Sequence, residues 1–263
     1  MNKLFSIILG LVRKVYQLIL KYFQKNYDES NLSKSTIIFA PHQDDETLGC
    51  GGTIIRKKQA GANLKIVFMT DGSGSHAHLI PRERLKAIRS KEALAAAQHL
   101  GVDKSEVMFL EFPDGHLIHK QDAAVSKVKE IIEQHQPEEI FIPYSQDGVP
   151  DHDVTNSIVL SALKKSTAQA TIYEYPVWFW NQFPWTGFSN PKNKLSSSWL
   201  FLKHFRCHVD ISSVLEQKKN ALQQHKSQIE RLIPHRSWSI LADVSQGEFL
   251  NCFLQNNEYF YRH

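Results

Sequence analysis

Thr36–Thr53, TIIFAPHQDDETLGCGGT, is the stretch whose reading decides the fold. Its first five residues, Thr36-Ile37-Ile38-Phe39-Ala40, form a short apolar and β-branched run, the pattern of a strand buried on both faces. Its last part reads as the first turns of a helix that continues through Ile54, Ile55 and Arg56. Between them lies His42-Gln43-Asp44-Asp45-Glu46, an imidazole and three carboxylates in five positions. Open α/β sheets build their sites at the C-terminal ends of strands, where this turn falls. So much negative charge in one turn is costly unless a cation shares it. Imidazole and carboxylate donors without a thiolate suit zinc best, with iron or manganese next. The plainer reading is a helix N-terminus whose acids complement the macrodipole. Gly49-Cys50-Gly51-Gly52 is not a GxGxxG dinucleotide loop, and the carboxylates before it would repel a pyrophosphate. These glycines are expected to let the helix backbone pack closely under the site.

The same alternation recurs on the C-terminal side. Leu64–Thr70, Val107–Leu110, Glu139–Pro143 and Thr171–Tyr175 read as further strands. Helical patterns run from Arg82 to His99, Ala123 to His135 and Val154 to Lys165. Strands alternating with helices predict an α/β fold, a Rossmann-like, doubly wound, mainly parallel sheet with helices on both faces. The strand exits carry chemistry: Asp71-Gly72 after the second strand, Asp114-Gly115-His116 after the third, and Asp151-His152 after the fourth. Residues 176–202 break the rhythm with Trp178, Phe179, Trp180, Phe183, Trp185 and Phe188 among three prolines. That segment reads as a lid, a substrate wall, or a second membrane or subunit contact, with a packed Ω-like loop as the plainer alternative. Ser212–Ile233 reads as one last long helix, and residues 238–261 as short strands, or a strand and a helix, capping the sheet.

On the N-terminal side, residues 26–35 read as a polar linker and residues 1–25 as a separate amphipathic helix, leaving 36–263 as the globular domain. Lys3, Ser6, Gly10, Arg13, Lys14, Gln17, Lys21 and Gln24 share one helical face, and apolar residues cover the rest. Arg13-Lys14 interrupt any transmembrane span. A basic stripe on a wide apolar arc predicts an interfacial helix on an anionic membrane surface; packing on the domain or a partner subunit is the alternative. The formal net charge is +4, but residues 1–25 carry five basic side chains and no acid, so the body is nearly neutral. That excludes nucleic acid as the main partner. Cys50, Cys207 and Cys252 are widely spaced and read as reduced thiols. The expected location is cytoplasmic, peripheral on the inner face of the membrane.

At this point the ordered motifs resemble a known family. Pro41-His42-Gln43-Asp44-Asp45-Glu46 resembles the HPDDE signature of the LmbE-like, or PIG-L, metal-dependent N-deacetylases. Thr70-Asp71-Gly72, Arg89-xx-Glu92 with Leu100-Gly101-Val102, Phe112-Pro113-Asp114-Gly115, Pro150-Asp151-His152 and His225-Lys226-Ser227-Gln228 resemble the later motifs in the same order. The resemblance covers roughly residues 35–260. It implies His42, Asp45 and His152 as zinc ligands, Asp44 as the general base, and Asp151 as a second catalytic residue. It implies an N-acetylated amino sugar as substrate, an N-acetylglucosamine-type glycolipid or envelope-glycan precursor. Arg82, Arg89, Asp71, His116 and His225 are the further candidates for contacting substrate. Two positions depart from the family pattern. Gln43 replaces proline, and Val149 stands where the family has the histidine that its aspartate orients to stabilise the oxyanion or protonate the leaving amine. His76, His78, His116 and His225 are the candidates to replace it. The rival reading is a metal-binding relative that has lost catalysis and acts as a membrane-associated assembly subunit, in an oligomer.

Overall fold

A computed structural model describes Val15 and residues 25–182, 185–186 and 194–263. The sequence segment 3–24 therefore lies outside the described residues apart from Val15. Among the described residues, eight strands form one mixed sheet: β1 (Lys25–Asn26), β2 (Thr36–Ala40), β3 (Leu64–Thr70), β4 (Val107–Phe112), β5 (Glu139–Pro143), β6 (Thr171–Tyr175), β7 (Cys207–Asp210) and β8 (Asn257–Arg262). Their spatial order is β1-β7-β8-β6-β5-β2-β3-β4. All neighbours are parallel except β8, which is antiparallel to both β6 and β7.

The helices are α1 (Asp45–Gln59), α2 (Arg82–His99), α3 (Gln121–His135), α4 (Pro150–Lys165), α5 (Lys194–His204), α6 (Leu215–Leu222), α7 (Lys226–Ile229) and α8 (Glu248–Phe253). Side chains alternate across a strand, so β2 feeds two cores. Ile38 and Ala40 join α1 and α2 residues such as Ile54, Ile55, Ala93 and Ala97 on one face. Ile37 and Phe39 join Val125, Val128, Ile158 and Val159 of α3 and α4 on the other. All five β2 residues are buried, which explains its unbroken apolar run. Burying each of Ile37, Ile38 and Phe39 contributes roughly 1.5–3 kcal/mol.

The topology places the site. The chain leaves β2, adds β3 and β4 on one side, then crosses back to add β5 on the other. The C-terminal end of β2, flanked by β5, is thus the switch point of the sheet, where a crevice opens. The exits of β2 and β5 are about 100 residues apart in sequence and adjacent in space.

The close-packing role of the glycines holds at Gly49: a Cβ there would lie 2.3 Å from the Tyr175 ring, so α1 rests directly on β6.

Several boundaries differ from the sequence reading. Residues 26–35 are no free linker. They form part of β1 and a 3-10 turn over Glu29–Ser33, with Tyr27 and Leu32 buried. The Tyr27 hydroxyl donates to Glu139, which also accepts from Lys57 Nζ at 2.6 Å, so a buried polar cluster fixes this segment. Ser212–Ile233 is not one helix but α6 and α7, broken at Gln223–His225, where His225 leaves helical geometry (φ −78°, ψ 57°) and turns its ring inward. The aromatic stretch holds a 3-10 turn, Trp178–Asn181, and helix α5. The C-terminal residues do form a helix and a strand, but β8 lies inside the sheet between β6 and β7 rather than capping it.

Candidate active site

The turn between β2 and α1 is held in an unusual backbone. Asp44 caps α1 at φ 149°, ψ −25°, a region that L-residues rarely adopt and that costs on the order of 1–3 kcal/mol. The surroundings over-determine it. The Asp44 N–H donates to Glu46 Oε2 (3.0 Å), and Gln43 Nε2 donates to the Thr70 carbonyl (2.8 Å). Arg89 of α2 donates to the Gln43 carbonyl (2.7 Å) and to Asp44 Oδ1 (3.2 Å). Gly72, at φ +65°, leaves room for the Gln43 amide; a Cβ there would meet its oxygen at 1.9 Å. Glu46 is fully buried and takes Thr47 Oγ1 (2.6 Å) and His225 Nε2 (3.2 Å). His225 therefore supports the turn from below.

Three donor atoms converge above this turn. Asp45 Oδ2 lies 3.3 Å from His42 Nδ1 and 3.3 Å from His152 Nε2. His42, Asp45 and His152 each offer one ligand atom, all within 4.8 Å of one another. Both ring nitrogens of His152 are buried and neither makes a hydrogen bond of good geometry among the described residues, Nδ1 lying against Asp147 and Nε2 against Asp45. An imidazole nitrogen left bare beside a carboxylate oxygen and a second imidazole fits a divalent ion, and the N₂O donor set fits zinc. The outer nitrogens are backed by carboxylates: His42 Nε2 by Asp114 Oδ1 (3.3 Å) and Asp151 Oδ2 (3.4 Å), and His152 Nδ1 by Asp147 Oδ2 (2.8 Å). Such partners fix which nitrogen faces a metal.

The electrostatics follow from burial and these contacts. Burial opposes charge on His42, but Asp114, Asp151 and Asp45 outweigh it and hold its pKa well above the ordinary histidine range. His152 is likewise raised, burial being outweighed by Asp45 and Asp147. Burial pushes Asp44 up to about 6, with Asp45 adding to the shift and Arg89 opposing it. Asp114 sits far below the usual carboxylate range: burial raises it, but His42, Arg89 and the Gly74 N–H more than compensate.

A cleft of about 470 Å³ opens over two of the three donors, His42 and Asp45. Arg82 and His116 line it, as do Asp44, Arg89 and Asp114. Val149, Val177, Trp178, Leu241 and Phe249 give it an apolar side, with Trp178 stacked on Phe249 at 4.9 Å. The candidates from sequence separate here. Arg82 faces the cleft with its guanidinium 3.3 Å from Ser73 Oγ, whereas Arg89 is 3 % exposed and bonded to the Asp44 turn. Asp71 is not among the cleft residues; it accepts from the Ser73 N–H (3.0 Å) and the Asp114 N–H (3.3 Å), shaping the loop. Of the four histidines considered as replacements at Val149, only His116 lines the cleft. His76 is buried, stacked on Trp238 and 2.9 Å from the Ser239 carbonyl; His225 is buried beneath the turn; His78 is exposed outside the cleft. Asp151 has partners other than residue 149: the Gly115 N–H donates to it at 2.7 Å.

Sequence reasoning quoted Asp114 in a strand exit but gave neither it nor Asp147 a role at the site. Both are acids in strand exit loops, the signal that had singled out Asp151. Their contacts with the two imidazoles depend on how those loops fold together.

Comparison with known proteins gives a consistent result. The family model described as PIG-L: GlcNAc-PI de-N-acetylase matches residues 37–163. A diacetylchitobiose deacetylase of Thermococcus kodakarensis is 24 % identical over 211 residues, covering 79 % of this chain and 73 % of the relative. A protein of Bacillus cereus described as a probable N-acetyl-alpha-D-glucosaminyl L-malate deacetylase 2 is 26 % identical over 209 residues, covering 77 % and 87 %. Among solved structures, the N,N'-diacetylchitobiose deacetylase from Pyrococcus horikoshii superposes with a TM-score of 0.62 at 21 % identity, covering 100 % of this chain and 94 % of that one, and shares the fold.

Proposed function

We propose, on the premise that this chain carries a PIG-L family deacetylase domain, that it removes the N-acetyl group from an N-acetylglucosamine-type sugar in a zinc-dependent hydrolysis. The observation that carries this reading is the convergence of His42, Asp45 and His152, with His42 and Asp45 beside Asp44 in the lining of an open cleft and His152 buried behind them. His42, Asp45 and His152 would hold the metal. When bound, zinc supplies Lewis acidity toward an amide carbonyl and makes a water more acidic.

The chain's own residues supply the rest. Asp44 takes the proton of the attacking water on its carboxylate. Arg89 at 3.2 Å opposes the upward push of burial and favours its ionised form. Asp114 and Asp151 hold the His42 ring from behind, and Asp147 does the same for His152. As the C–N bond breaks, the departing amine needs a proton; His116 is the uncommitted imidazole in the cleft and donates it. Acetate keeps the water oxygen, and the sugar leaves as a free amine. Arg82 binds polar or anionic groups of the sugar at the cleft wall. The amphipathic sequence of residues 3–24 supports a lipid- or envelope-linked sugar, with the protein peripheral on a membrane. Among the described residues no helix is long and apolar enough to cross one.

The test is acetate release from a panel of soluble and lipid-linked N-acetylglucosaminides by the zinc-loaded protein. Stoichiometric acetate and free amine from one class identify the substrate. Bound zinc with no acetate from any member would overturn the hydrolase reading and support the assembly-subunit alternative.

A further inference from the structure

Asp147 sits between the candidate metal centre and the aromatic side of the cleft. It follows β5, is 2 % exposed, and uses both carboxylate oxygens. Oδ2 lies 2.8 Å from His152 Nδ1 and accepts the Trp178 N–H at 2.8 Å. Oδ1 accepts the N–H groups of Val177 (2.9 Å) and Phe179 (2.8 Å). Three consecutive backbone amides of the segment after β6 therefore converge on the same carboxylate as the imidazole. The amides belong to the residues that place Trp178 and Val177 in the cleft. The carboxylate's own loop is anchored as well: the Asp147 N–H donates to the Tyr144 carbonyl (3.1 Å) and to Asp153 Oδ1 (3.1 Å).

We infer that Asp147 is a positioning residue that links occupancy of His152 to the placement of the Trp178 wall. The inference rests on the metal assignment made above. His152 Nε2 faces His42 and Asp45, so a metal there requires the proton on Nδ1, which is the nitrogen against Asp147. In that state a protonated Nδ1 faces, at 2.8 Å, the carboxylate that already accepts three backbone N–H groups, and its position is set from both sides. Without the metal nothing pins Nε2, and the ring that backs the carboxylate is placed only by its contacts with Asp45 and Asp147. By linkage, whatever steadies His152 steadies residues 177–179, and whatever moves residues 177–179 changes how well His152 holds a metal.

The experiment needs no turnover. Amide hydrogen exchange of residues 177–179 is measured in the full chain, metal-free and with one equivalent of zinc. Zinc is expected to slow exchange at these amides about tenfold, with little change in α3. Stoichiometric zinc binding that leaves exchange at 177–179 unchanged would overturn the inference. In parallel, zinc affinity is measured by chelator competition for wild type, Asp147→Asn, Asp147→Glu and Trp178→Ala. Asp147→Asn is expected to weaken zinc about 10–100-fold and to abolish the zinc effect on exchange, with partial recovery in Asp147→Glu. Trp178→Ala is expected to retain wild-type zinc affinity, since its backbone N–H remains. Wild-type affinity in a folded Asp147→Asn protein would overturn the inference. The wild-type exchange result decides the matter if that variant does not fold. Zinc-dependent protection without acetate release would sink the deacetylase reading and leave this link standing.

Discussion

The sheet has two halves that differ in how they are built and in what they contribute. The parallel half, β4-β3-β2-β5-β6, repeats one strand–helix unit, and its strand exits and the first turns of the helices after them supply His42, Asp44, Asp45, Asp114, Asp147, Asp151 and His152. The other half, β8-β7-β1 with α5 to α8, has short helices and a two-residue strand and supplies none of those side chains. It supplies Gln228, Leu241 and Phe249 to the cleft and struts to the Asp44 turn and the helices beside it: His225 under Glu46, Ser227 on Glu92, and Lys218–Glu258 against α1. Glu258 accepts the Gly52 and Thr53 N–H groups and pairs with Lys218 at 2.7 Å, with both side chains buried. The lesson is a division of labour: a regular scaffold fixes the clustered imidazoles and carboxylates, and an irregular one braces them and shapes the cleft wall.

That division can be broken experimentally, beginning with the largest effect. Asp45→Ala should abolish high-affinity zinc binding and reduce acetate release to background while the fold survives. Isothermal titration with zinc checks it, and retained tight binding would mean that the parallel half does not hold the metal. Next, Glu258→Ala strips a buried ammonium of its partner and should cost about 3–5 kcal/mol of stability. Urea unfolding measures this, and a change below about 1 kcal/mol would show that the second half does not brace α1. His116→Ala should lower kcat for amide substrates about 10²-fold with zinc content unchanged. An activated acetyl ester, whose leaving group needs no proton, should be spared, and equal losses on both substrates would remove the proton-donor role. Phe249→Ala, on the bracing side, should raise KM for a sugar substrate about tenfold with kcat nearly constant; a kcat effect alone would move Phe249 from the wall to the chemistry.

The smallest effect is a dependence on pH. His42 and His152 have folded-state pKa values raised by their carboxylates, against an unfolded value near 6.5. A raised histidine contributes stability that is fully present below about pH 6.5 and is lost as pH rises through the folded value. The metal-free protein should therefore lose stability in that upper window. Zinc, which needs the rings deprotonated, should restore it, so the Tm gap between zinc-loaded and metal-free protein widens from about pH 6 to pH 8. A gap that stays constant would contradict the assignment of these two imidazoles.

How much of this was legible in the sequence follows the same division. In the parallel half, β2, β3, β5, β6 and α2 have the boundaries their patterns predict, because buried runs and helical periodicity are local signals. Gln43 could be read only as a departure from a family motif; its bond to Thr70, which pins the turn, joins residues 27 apart. In the other half, local pattern and structure part company. Residues 212–233 carry helical spacing throughout, yet burying His225 against Glu46, 179 residues away, interrupts it. Tyr27 lies in a polar decapeptide that looks like a linker, and its burial is explained by Glu139 and Lys57, 112 and 30 residues on. Asp114 and Asp147 were visible as acids in loops, but their roles depend on which imidazole each loop meets. Helical and strand patterns are short-range; these contacts are set by the tertiary fold.

The most direct test is a paired measurement on wild type and Asp44→Asn: zinc per chain, and acetate released from an N-acetylglucosaminide. The account predicts one zinc in both proteins and acetate release that falls about 10³-fold in the variant. Undiminished release from Asp44→Asn would contradict the role of Asp44. A folded wild-type protein that binds no zinc would contradict the site at His42, Asp45 and His152.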